Sequence, residues 1–87
     1  MDSVMNETMS SLYTMLKKED YEVFSEALSG KNALRVYDKG VYVTRIEYLS
    51  DGRIAVESTD GYQCLYANTD KEALNIVFFI YHCTHKE

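Results

Sequence analysis

Proline is absent from this 87-residue chain, and so is tryptophan. With no proline-rich stretch, and no Gly/Ser or single-charge run to act as a linker, one domain spanning residues 1–87 is expected. Basic residues are scarce: 9 Lys and Arg stand against 14 Asp and Glu, for a formal charge of −5. A surface of that sign repels phosphate, so no direct contact with nucleic acid is expected. An acidic chain of this kind suits the nucleic-acid groove of a basic partner protein instead. Long apolar runs are missing too. The longest, Ile76 to Tyr81, falls far short of the ~20 residues of a membrane helix, so no membrane partner is expected. The opening Met1-Asp2-Ser3-Val4-Met5-Asn6-Glu7 lacks the basic and apolar regions of a secretory signal. Cysteine occurs only at Cys64 and Cys83, which then read as reduced thiols of a cytoplasmic protein rather than as a disulfide framework. None of the 4 glycines opens a helix in a phosphate-binding pattern.

What is present specifies an α+β fold. Met5, Met9, Leu12 and Leu16 recur at helical spacing and predict an amphipathic helix from about Asp2 to Lys18. Asp2 or Ser3 would cap it, Asn6, Glu7, Ser10 and Lys17 would be wet, and Lys17 and Lys18 suit the negative end of its dipole. Residues 20–29 admit two readings. As a helix, Asp20 is the N-cap, Tyr21, Phe24 and Leu28 form the apolar face, and Gly30 is the left-handed stop. As a strand, Tyr21, Val23 and Ala27 share a face. The helix is preferred, because Ser-Glu-Ala-Leu favours it.

Gly40, Gly52 and Gly61 each follow a short polar pair, the signature of a three-residue hairpin loop ending in left-handed glycine. At Gly52 the register decides. A three-residue loop pairs Tyr48 with Ile54, Ile46 with Val56 and Arg45 with Glu57, whereas a two-residue loop would set Val56 against Glu47. Applied to all three turns, the same loop predicts a four-stranded antiparallel meander at about 33–37, 41–49, 53–58 and 62–67. Its core face would hold Leu34, Val36, Tyr42, Ile46, Tyr48, Ile54, Val56, Tyr62, Cys64 and Tyr66. Thr69 and Glu72 then form a capping box ahead of a helix from about Asp70 to Cys83, apolar nearly all round, packed on one sheet face.

Residues that carry chemistry are few. His82 and His85 stand three apart near Cys83, but a zinc site needs three or four ligands and only Cys64 remains to add. Solvated histidines at a helix end are the better account, and no metal or other cofactor is expected. Cys83 and His82 are adjacent, so on a helix they diverge, and no third group orients them. Enzymatic activity is therefore not expected. Glu19, Asp20, Glu22 and Glu26 are the densest acidic group, read as a solvated face or as a recognition patch for a basic partner. Tyr37 with Val41, Val43, Leu49 and Leu65 gives the outer sheet face an apolar group rimmed by Arg35, Arg45 and Glu47, read either as an interface or as a merely half-wet sheet face.

Leu16-Lys17-Lys18-Glu19-Asp20-Tyr21-Glu22-Val23, then Leu28-Ser29-Gly30 and Arg35-Val36-Tyr37-Asp38-Lys39-Gly40, resemble the helix-to-sheet passage of small acidic phage-encoded anti-CRISPR inhibitors of Cas9. The resemblance covers about a third of the chain. It implies a counter-defence protein in the host cytoplasm, binding a host protein complex such as a CRISPR effector by masking its surface, and it favours the strand reading of residues 21–28. Those inhibitors carry many carboxylates in their later half to mimic DNA, whereas this chain ends in an apolar helix. The alternative is a homo-oligomeric structural or accessory protein, a homodimer for instance, joined through that helix or the outer sheet face.

Overall fold

Asn6 starts the first helix, α1 (Glu7–Lys18), its side-chain oxygen accepting the Met9 amide at 2.9 Å. The structure is a computed structural model and describes residues 5–58 and 64–84. The caps expected at Asp2 and Ser3 lie outside those residues. The helix begins at Glu7 rather than Asp2, because Asn6 adopts an extended backbone and takes the cap role itself. Met9, Leu12 and Leu16 are buried, as the apolar stripe requires.

After α1 the chain turns through Asp20, whose φ of 69° is left-handed. The preferred helix over residues 20–29 does not form. In its place stand strand β1 (Glu22–Ser25) and a single 3-10 turn at Ala27–Ser29, closed by left-handed Gly30. The reason is tertiary. Helix propensities differ by tenths of a kcal/mol per residue, while the extended path buries Val23 of β1 and the preceding Tyr21 in the core and pairs β1 with the next strand.

Strands β2 (Ala33–Asp38), β3 (Val41–Tyr48), β4 (Ile54–Glu57) and β5 (Cys64–Ala67) complete an antiparallel sheet in the order β1-β2-β3-β4-β5. Among the described residues the sheet thus has five strands, not four. The β3–β4 hairpin has the expected register, Ile46 opposite Val56 and Tyr48 opposite Ile54. Its three-residue loop is closed by Leu49 and Arg53, with Gly52 at φ 93°.

The β2–β3 hairpin differs. Asp38 pairs with Val41, leaving a two-residue loop of Lys39 (φ 53°) and Gly40 (φ 84°), both left-handed. A bulge then shifts the ladder by one more residue, so that Tyr37 faces Tyr42, Val36 faces Thr44 rather than the expected Tyr42, and Val43 is the extra residue. Tyr42, expected on the core face, therefore turns outward and is 39% exposed. Val43, expected outside, is fully buried next to buried Thr44. The third turn, at Gly61, lies outside the described residues, as does Tyr62. Beyond it, β5 is one residue out of the expected register. Val56 faces Leu65 and Ala55 faces Tyr66, so Cys64 and Tyr66 leave the core face and are exposed.

The last helix, α2 (Asp70–Thr84), has the expected cap: Thr69 accepts the Glu72 amide at 3.1 Å, and the Glu72 carboxylate accepts the Asn68 amide at 2.7 Å. Leu34, Val36, Ile46, Ile54 and Val56 of the sheet form one core with Met9, Leu12 and Leu16 of α1 and Ala73, Val77 and Ile80 of α2. The helices are tied to each other by Ser11, which donates to Asp70 at 2.7 Å. Tyr81 of α2 donates to Asp38 at the end of β2 at 2.9 Å. Among the described residues no helix is long and apolar enough to cross a membrane.

Candidate protein-binding face

The side of the sheet away from the core is built by strand alternation. Because Val23, Val36 and Thr44 face inward, their neighbours Glu22, Phe24, Arg35, Tyr37 and Arg45 face outward. The bulge adds Tyr42 to that set. At one end of the face Phe24, Tyr37 and Tyr42 form a row of rings. Phe24 meets Tyr37 edge-on at 5.6 Å between centroids, and Tyr37 meets Tyr42 at 5.7 Å. That spacing and tilt set ring edge against ring face, the favoured aromatic arrangement. Beside the row lies a shallow hollow of about 560 Å³ lined by Glu22, Phe24, Ser25, Arg35, Tyr37 and Gly40.

The middle of the face is ionic. Arg45 grips Glu26 with two parallel bonds of 2.9 Å and Glu47 with a third of 3.0 Å, while Arg35 reaches Glu26 at 3.4 Å. The hydrogen bonds from Arg45, aided by its charge and that of Arg35, hold the Glu26 carboxyl below its ordinary pKa, and the same contacts raise that of Arg45. Arg45 was expected to meet Glu57. It turns to Glu26 instead, and Glu57 accepts the Tyr42 hydroxyl at 3.0 Å. Partial burial, with that bond and the Glu57 charge, pushes the Tyr42 pKa up to about 12. At the far end Arg53 lies 4.5 Å above the Tyr66 ring and pairs with Asp51 at 2.8 Å.

The residues expected to bind a partner are thus only partly gathered. Tyr37 lies on the outer face, half-buried, and Leu49 follows inward-facing Tyr48 at its rim. Val43 is removed from the set, since the bulge buries it in the core. Leu65 is removed as well: it shares the face of buried Val56 and is 37% exposed only because β5 is the last strand. Val41 is exposed but lies opposite Asp38, on the face where Asp38 meets Tyr81. The acidic group also divides. Glu26 is neutralised by two arginines, Glu22 borders the hollow, and Glu19 and Asp20 are exposed in the turn leaving α1.

Phe24, Tyr42 and Tyr66 were missed. Phe24 was legible only in the strand reading, where it alternates with Val23. Tyr42 and Tyr66 each required a register shift that the residue pattern does not mark.

Cys64, expected in the core, is exposed, as is Cys83. Among the described residues no group of three or more His, Cys, Asp or Glu side chains is placed to hold a metal ion, and His85 lies outside them. Comparison with protein-family models, with curated proteins and with solved structures returns no match for this chain.

Proposed function

We propose that this chain is a non-enzymatic protein-binding inhibitor that masks a surface of a host protein complex, in the manner of an anti-CRISPR protein of a phage or mobile element. In this reading α2 lies along the core face of the sheet beside α1, which leaves the opposite face free to dock. The observation that carries it is the composition of that face: a row of three rings next to a satisfied cluster of Arg35, Arg45, Glu26 and Glu47. Aromatic and arginine side chains are the types over-represented in binding hot spots. Rings locked edge-to-face lose little further freedom on association. The acidic balance of the chain suits a basic partner surface.

The test is capture from host lysate by the wild type and by a Phe24→Asp/Tyr42→Asp double variant. Both changes fall on exposed residues. A stoichiometric partner held by the wild type and lost by the folded variant is the expected result. No partner with the wild type ends the reading. One observation favours the homo-oligomeric alternative: Phe79 on α2 is 60% exposed. Light scattering separates the two, since a stable dimer dissolved by Phe79→Ser would select the second.

A further inference from the structure

The backbone of β1 offers more than its side chains do. In an antiparallel ladder, residues alternate between pointing their N–H and C=O groups at the neighbouring strand and pointing them away. The Glu26 amide donates to the Ala33 carbonyl at 2.9 Å. In the β1–β2 register, Phe24 and Glu22 belong to the same set and bond to β2. Val23 and Ser25 therefore direct theirs out of the sheet. β1 is the first strand in the sheet order, and among the described residues no backbone hydrogen bond reaches the outward groups of Val23 or Ser25. Two donors and two acceptors stand in line there, the arrangement that accepts an added strand.

The hollow coincides with this edge. It is lined by Glu22, Phe24 and Ser25 of β1 itself, and Phe24 is 53% exposed. A strand laid along β1 would form its bonded pairs with Val23 and Ser25, which sets its other side chains, on the outer face, directly opposite Glu22 and Phe24. Such non-bonded positions bring facing side chains closest. Charge then selects the guest. Glu19, Asp20 and Glu22 cluster at the start of β1, and among the described residues no ion pair reaches any of them. Glu22 accepts the Gly40 amide at 3.1 Å, and that contact leaves its charge uncompensated. Lys17 and Lys18 are near in sequence and Lys39 precedes Gly40, whose amide meets Glu22, but none of the three lysines pairs with these carboxylates. At the other end of the strand Glu26 is already neutralised by Arg35 and Arg45.

We infer that β1 docks an extended basic segment of the partner protein as an additional edge strand. That segment places a Lys or Arg opposite Glu22 and, two residues away, an apolar side chain opposite Phe24 and into the hollow. The inference rests on the protein-binding reading and names the chemistry of the partner.

The experiment titrates the labelled full chain with a short capped peptide alternating Thr with Lys and Val, followed by amide-resolved NMR and hydrogen exchange. A second peptide carries Glu in place of Lys. The expected result is slowed exchange and saturable shifts at Val23 and Ser25, with binding to the Lys peptide at least severalfold tighter than to the Glu peptide. Ser25→Pro removes an outward N–H without touching the β1–β2 bonds and should abolish binding. Glu22→Lys, at an exposed position, should weaken the Lys peptide and reverse the preference, which keeps the test decisive if Ser25→Pro fails to fold. Equal affinity for the two peptides, shifts centred elsewhere, or absence of binding overturns the inference. Concentration-dependent protection of the same two amides without peptide overturns it too, in favour of a second copy of this chain. Capture of the lysate partner by Ser25→Pro at wild-type strength would refute the edge strand and leave the protein-binding reading standing.

Discussion

Glu26 is the hinge of the outer face at the level of single residues, because three guanidinium contacts converge on its two oxygens. Its pKa is depressed in the folded chain, mainly by the Arg45 hydrogen bonds. The stability it contributes is therefore complete above its unfolded pKa and disappears as pH falls through the lower folded value. Urea unfolding of Glu26→Gln should show a loss of about 1 kcal/mol at pH 7, and the gap from wild type should close in strong acid. A gap that persists at low pH would mean that packing, and not charge, is at stake. Tyr42 supplies a second readout. With a pKa of about 12, raised first by burial and then by Glu57, its hydroxyl should keep its proton well into the alkaline range when followed by NMR. Glu57→Gln should bring the transition down only part of the way, since burial remains.

The β2–β3 hairpin shows at the level of elements how far residue patterns reach. The β3–β4 register was readable because Ile46, Ile54 and Val56 must avoid Glu47 and Glu57, so a slip would mix greasy and charged positions. Near the first turn Tyr37, Val41, Tyr42 and Val43 are all apolar or aromatic, and a slip leaves no visible conflict. Cys64, Leu65 and Tyr66 hid the β5 register in the same way. β1 was ambiguous for a related reason: Tyr21 with Phe24 and Leu28 fits a helix, Tyr21 with Val23 fits a strand, and only pairing with β2 decides. The bulge has a direct test. Val43→Ala should cost about 2 kcal/mol as a truncation of a fully buried side chain, while Val41→Ala should stay within about 0.5 kcal/mol. Denaturant titration that ranks the two in the opposite order would remove the bulge. The turn can also be improved. Lys39 holds φ 53° ahead of Gly40 at φ 84°, a pair of conformations that Asn-Gly adopts most readily. Lys39→Asn is expected to raise stability by roughly 0.5 kcal/mol, read as a higher urea midpoint at unchanged slope.

At the scale of the whole molecule, a short chain relies on every element for its interior. A domain of this length buries only about 60–65% of its unfolded surface, and Ala73, Val77 and Ile80 of α2 belong to the same core as the strands. Ending the chain before Asp70 should expose that core and abolish cooperative unfolding, as circular dichroism in urea would register. A truncated chain that still melted in one sharp step would show that the sheet and α1 suffice. The extra residue at Val43 also bears on ancestry. A distant cousin without it would carry one amino acid fewer ahead of the position of Thr44, and its residues between there and the tight turn would be displaced by one in number while facing the same way. An alignment that opens a single-residue gap at that point would keep both sides in step, where an ungapped comparison running across it would set outward residues against inward ones.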